Sequence, residues 1–208
     1  PLGAAPQGFA HAGTAGISQV SVGGAEDASG STIKDRVAGS LALAAFAAEV
    51  AKSYPITVAL HTDHCAKQNL DSWVRPLLAL GAARVKAGKL PTFQSFMWDG
   101  SSVPLPENLL IAEELLGLCQ AAHAILELAV GVVGGDADGH SAEITEKLYT
   151  TPEDGLATVK ALGTGEPGRS LPPPACVHRP RVHPPAARTI PPPPPGEHPS
   201  LGAAAVAP

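Results

Sequence analysis

His61-Thr62-Asp63-His64 puts two imidazoles and a carboxylate within four residues, directly after the apolar run Ile56-Thr57-Val58-Ala59-Leu60. Imidazole binds divalent metals and exchanges protons near neutral pH, and a carboxylate beside it can act as general acid or base. A short apolar run bounded by polar residues reads as a buried strand, so these groups crowd a strand end, where α/β folds carry their chemistry. Along a strand, side chains alternate between faces, which predicts that His61 and Asp63 point to the same side. His61 is expected to serve polar packing, and Cys65 to be a small buried residue.

The surrounding elements alternate. Ile17 to Val22 reads as a strand broken by Gly23-Gly24. A helix is expected from Thr32, with Asp35 as its capping-box partner and apolar residues at Ile33, Val37, Leu41, Ala44 and Ala48. After the Ile56–Leu60 strand come a helix over Leu70 to Val85, with Pro76 expected to kink it or interrupt its ladder, and a strand over Thr92 to Met97. A helix from Glu107 to about Ala122 then leads into a strand over Ala124 to Val130. The last helix has Thr151 as N-cap, Pro152 at its first position, Asp154 closing the capping box and Gly163 as its stop. Strands alternating with amphipathic helices predict a parallel sheet with right-handed crossovers, which admits either a doubly wound sheet or a (β/α)8 barrel.

The segment around His61 to Cys65 resembles the zinc-binding motif of class II fructose-bisphosphate aldolases. Gly88-Lys89-Leu90-Pro91-Thr92-Phe93-Gln94-Ser95-Phe96-Met97-Trp98-Asp99-Gly100-Ser101, Gly131-Val132-Val133-Gly134-Gly135 and Glu146-Lys147-Leu148-Tyr149-Thr150-Thr151-Pro152-Glu153-Asp154 follow in the family's order. The resemblance runs from about Leu2 to Arg169. It implies an α/β fold, a partial TIM (β/α)8 barrel with about half of the eight strands, and a domain at 1–169 followed by a proline-rich tail at 170–208. It also implies reversible aldol cleavage of fructose 1,6-bisphosphate to dihydroxyacetone phosphate and glyceraldehyde 3-phosphate, with Zn2+ as cofactor. Tagatose-bisphosphate aldolase is the close relative to weigh against it.

Residue by residue, the resemblance makes His64 the first of three zinc-binding histidines, Asp63 the acid/base for the substrate hydroxyl, and Ser21 a substrate-binding serine near the carbonyl. A strand-end serine that satisfies backbone groups is the alternative for Ser21. The family's other two histidines lie in G-N-V-H-G and H-G-G-S-G motifs that this sequence lacks, and His178 falls two positions out of register with the first of them. Ala129 stands where the family has a metal-associated glutamate, Ala137 where it has the glutamate of proton transfer, and Phe96 where it has a histidine expected to face the site. These departures predict an inactive copy. The rival expectation is a non-catalytic half-barrel that pairs through its sheet edges with itself, as a homo-oligomer, or with an intact aldolase subunit.

Composition agrees with a folded body and a different end. Of the 208 residues 44% are hydrophobic, yet 13 of the 22 prolines lie from Pro172 onward, including Pro191 to Pro195. Such a segment cannot hold a helix or central strand and is expected to be disordered. A net charge of -5 without a Lys/Arg cluster excludes the electrostatic footprint of a nucleic-acid binder. No apolar stretch is long enough for a membrane span, and the first residues lack the pattern of a signal peptide, so a cytoplasmic protein is expected. Three cysteines, Cys65, Cys119 and Cys176, without C-x-x-C spacing, argue against a disulfide framework. The absence of an initiator Met fits a fragment or a processed chain.

Overall fold

The computed structural model describes residues 4–130 and 150–163. In chain order they form α1 (Ala4–Ala12), β1 (Gly16–Val20), α2 (Val22–Ala28), α3 (Arg36–Ala51), β2 (Val58–Ala66), α4 (Arg75–Lys86), β3 (Ser95–Asp99), α5 (Leu105–Ala121), β4 (Ile125–Ala129) and α6 (Pro152–Leu162). The motif Gly131-Val132-Val133-Gly134-Gly135, Ala137 and the tail from 170 lie outside the described residues.

The four strands make one parallel sheet in the order β1-β2-β3-β4, each joined to the next by helix. Alternation divides the sheet into two faces. Val20, Thr62, Phe96 and Leu126 form one cross-strand row and, with Leu60, Trp98 and Leu128, are buried against the helices. There they meet Ala44 and Ala47 of α3, Leu77 and Leu78 of α4, and Ala112, Leu115 and Cys119 of α5 in a single core. The neighbouring row, Gln19, His61, Ser95 and Ile125, belongs to the opposite face, on which His61 and Met97 are buried. Ile17 on that face is 62% exposed.

Local rules explain several boundaries, and tertiary structure overrides others. Thr151 accepts from the Asp154 amide at 3.1 Å and Asp154 accepts from the Thr151 amide at 3.2 Å, so the expected capping box forms, and Gly163 ends α6 with φ +80°. Asp35 is itself the N-cap of α3, accepting from the amides of Val37 and Ala38 at 2.9 Å, so the helix begins four residues later than the Thr32 reading. The Val22 end of the first strand is also corrected. The strand stops at Val20, and the helix α2 runs straight through Gly23-Gly24, because Ser21 caps it by accepting from the Gly24 amide at 3.1 Å. Gly39 on α3 is required by a close crossing, since a Cβ there would sit 1.7 Å from the Ala25 carbonyl oxygen of α2.

The ladder is interrupted ahead of Pro76, one of the two outcomes expected there. The stretch from Lys67 opens with a 3-10 turn and a π turn, Leu70–Val74, in which the Arg75 amide donates to the Leu70 carbonyl, and the regular α4 starts with Pro76 in its first turn. The π turn buries Trp73, whose indole donates to Ser40 Oγ of α3 at 2.8 Å.

Candidate active site

The strand after Ile56 is longer than the apolar run suggested. β2 continues to Ala66, so His61 to Cys65 lie within it and not beyond its end. Its pairing with β3 runs His61 to Ser95 and Thr62 to Phe96, then Cys65 to Trp98 and Ala66 to Asp99. Three steps on β2 therefore match two on β3, and the extra residue is a β-bulge at Asp63-His64. A bulge interrupts strict alternation and re-aims side chains. It lets Cys65 return to the core beside Trp98 while Asp63 and His64, adjacent in sequence, stay half-exposed at the carboxyl end of the sheet.

His64 Nδ1 lies 3.2 Å from Asp99 Oδ2 at the end of β3. Burial pushes the Asp99 carboxyl up, but hydrogen bonds from His64 and Ser101 outweigh it and hold the group at about 2. Among these bonds the Ser101 amide donates to Asp99 Oδ1 at 3.1 Å. Asp99 is therefore an anion that orients one imidazole nitrogen. Carboxylates play this part for metal-binding histidines, and the contact joins residues 35 apart that no local spacing reveals.

One row deeper, His61 is buried and spans three strands. Its Nδ1 is 2.7 Å from Ser95 Oγ on β3, and its Nε2 is 3.4 Å from Glu127 Oε2 on β4. Burial lowers its pKa most strongly; Glu127 and Asp63 pull it back up, and His64 lowers it further, with a net downward shift. The downward shift favours the neutral ring, whose Nδ1 shares a hydrogen bond with the Ser95 hydroxyl while Nε2 faces the Glu127 carboxylate without a hydrogen bond to it. This is the polar packing role expected for His61. Its mutual influence with Asp63, His64 and Glu127 also shows that the four groups share one neighbourhood.

Ser21 lies just past Val20, whose register partner is Thr62, so it occupies the next row at the same end of the sheet as Asp63. Its hydroxyl oxygen caps α2. Phe96 corrects the expectation of a site-facing side chain. It is buried on the helix side, tilted 53° against Phe93 at a centroid distance of 5.8 Å, and its aromatic character belongs to the core. Ala129 ends β4 opposite Asp99, where a methyl group adds no donor. Cys65 is buried as expected, and burial pushes its thiol up to about 12.

Among the described residues no group of three His, Cys, Asp or Glu side chains is placed to hold a metal ion. Zinc sites use three or four protein ligands. The described residues supply one oriented imidazole, His64, and do not by themselves make up a zinc site.

Functional groups gathered at the carboxyl ends of parallel strands that alternate with helices define a protein of the βα-barrel type. The family model described as class-II fructose-bisphosphate aldolase matches residues 2–166, and the chain belongs to that family. It is 58% identical over 170 residues to the fructose-bisphosphate aldolases of Mycobacterium leprae and Corynebacterium glutamicum, covering 82% of this chain and 49% of each relative. The crystal structure of a fructose-bisphosphate aldolase from Campylobacter jejuni superposes with a TM-score of 0.67 at 32% identity, covering 78% of this chain and 46% of that one. The chain thus spans about half the length of the relatives it matches, which agrees with about half of a barrel.

Proposed function

We propose that this chain carries part of a class II aldolase active site for reversible cleavage of fructose 1,6-bisphosphate, a step of glycolysis and gluconeogenesis. The observation that carries the reading is the β2 bulge, which sets Asp63 beside His64 at the strand end, with Asp99 against His64 Nδ1. In this reading Asp63 takes and returns the proton of the substrate hydroxyl at the bond that breaks, and Ser21 binds near the carbonyl. His64 is one zinc ligand, and the remaining ligands come from outside the described residues. Zinc, when bound, polarises the ketose carbonyl. Two buried free cysteines suit a cytoplasmic setting, where thiols stay reduced. The helices show no span long and apolar enough to cross a membrane among the described residues.

By itself the 208-residue chain is proposed to be inactive, because Ala129 and Ala137 replace carboxylates and a methyl group neither accepts a proton nor binds metal. The decisive experiment supplies what is absent. Residues 2–166 are fused to the remainder of the Corynebacterium glutamicum relative, carrying Ala129→Glu and Ala137→Glu. Cleavage of fructose 1,6-bisphosphate that Asp63→Ala abolishes is the expected result, and tagatose 1,6-bisphosphate in parallel tests the alternative substrate. A folded, zinc-loaded fusion with no turnover of either sugar rejects the reading.

A second reading, a non-catalytic half-barrel that pairs with itself or with an intact aldolase subunit, draws on the exposed Ile17 of the edge strand β1. Its measure is the size of the chain in solution.

A further inference from the structure

Asn108 is almost wholly buried in the first turn of α5, at 1% exposure, and its amide uses both ends. Oδ1 accepts from Trp98 Nε1 at 2.7 Å, while Nδ2 donates to the Gly100 carbonyl at 3.2 Å and to the Ala129 carbonyl at 3.0 Å. Trp98 and Gly100 are the residues on either side of Asp99, and Ala129 is the register partner of Asp99 on β4. One side chain therefore ties the positions before, after and beside the carboxylate that meets His64.

We propose that Asn108 is a positioning residue, which fixes the end of β3 so that the Asp99 carboxylate is presented to His64 Nδ1. The proposal rests on reading Asp63 and His64 as part of an aldolase site. The chemistry is specific to an amide. A buried polar group is tolerated when its hydrogen bonds are made, and the set offered here, one N–H and two carbonyls, calls for one acceptor and two donors. Leucine would take a hydrogen-bond partner from each of the three groups, the Trp98 indole, the Gly100 carbonyl and the Ala129 carbonyl, and aspartate would set an anion against two carbonyl oxygens. The fit leaves no slack on the other side, because a Cβ on Gly100 would lie 2.2 Å from Asn108 Cγ. Asp99 needs such a clamp because it is the last residue of β3, and the chain turns immediately afterwards, with the Val103 amide donating to Gly100 O at 3.0 Å.

The test reads the tautomer of His64 by long-range 15N–1H spectra of the whole chain, zinc-free, at a pH of about 8, above the ordinary imidazole range. His64→Gln identifies the resonances. In the parent, the proton resides on Nδ1, and Asp99→Asn should lower the Nδ1-protonated fraction of His64. Asn108→Leu and Gly100→Ala should both reproduce the Asp99→Asn spectrum, while His61, held separately by its hydrogen bond to Ser95, keeps its own tautomer. Gly100→Ala retains the Asn108 side chain and displaces it, so it serves where Asn108→Leu fails to fold. Folded variants with an unmoved His64 spectrum overturn the proposal. So does an equal disturbance of His61, which would mark Asn108 as a strut for the whole sheet. If Asp99→Asn itself leaves His64 unchanged, the His64–Asp99 pairing is wrong and the proposal falls with it, whereas loss of turnover in the fused aldolase with intact tautomers counts only against the catalytic reading.

Discussion

A neutral, buried His61 makes stability depend on pH in a definite direction. Its pKa is lowered in the folded chain, so at pH values below the ordinary imidazole value of about 6.5 the unfolded chain binds more protons than the folded one. The stability it contributes is complete above that value and is lost as pH falls beneath it. Asp99 acts in a lower window. Its folded value of about 2 lies below the usual carboxylate range near 3.9, so its contribution is present above that range and disappears as pH drops toward 2. Urea unfolding across a pH series should show the parent losing stability below pH ~6.5, with His61→Gln flattening that upper limb and Asp99→Asn the lower one. Parallel curves for parent and His61→Gln would show that His61 titrates alike folded and unfolded. The thiols give a second expectation. Cys65 and Cys119 are both raised to about 12 by burial, leaving on the order of 10⁻⁴ of each as thiolate at pH 8. In a Cys176→Ser background, iodoacetamide should label neither until denaturant is added, and labelling at the rate of a free thiol would contradict their burial.

The close crossing of α2 and α3 depends on Gly39. A Cβ 1.7 Å from the Ala25 carbonyl must push the helices apart, and overpacking of this kind costs about 2–3 kcal/mol. Gly39→Ala should lower the urea midpoint accordingly, and a change below about 0.5 kcal/mol would place the mutation among ordinary surface substitutions. Elements governed by neighbours in sequence are legible from the residues alone: the Thr151 to Asp154 capping box, the Gly163 stop, and the alternation of strand and helix. α1 and the passage of α2 through two glycines are not, because poor intrinsic helix formers are overridden in α2 by the Ser21 cap and by packing against α3. The bulge at Asp63-His64 is equally hidden. It exists only as a mismatch in count between β2 and β3, and nothing local to residues 61–66 announces it. The same holds for Asp99 and Asn108, whose roles are defined by partners on other elements. Asp63, His64 and Ser21 stand out in the sequence because a motif, not a contact, names them.

At the scale of the whole molecule, the two faces of the sheet are unequal. One is closed by α3, α4 and α5 around an apolar core, and the other carries Ile17, Gln19, His61, Ser95, Glu127 and Ile125, with Ile17 largely exposed. Among the described residues β1 and β4 each end the sheet at a strand edge, and unpaired edges are templates for further pairing. A domain whose net stability is only about 5–15 kcal/mol cannot leave much apolar surface and edge backbone uncovered. The 208-residue chain on its own should therefore associate, with β1 of one copy meeting β4 of another so that eight parallel strands close around the shared interior. Light scattering and sedimentation should show a concentration-dependent dimer, and hydrogen exchange should show the amides of β1 and β4 gaining protection as the dimer forms. Ile17→Lys, which sets a charge on this second face without touching the core, should shift the population toward monomer and lower its stability together. A compact monomer at micromolar concentration, with β1 already protected, would show that four βα units suffice and that the second face tolerates water.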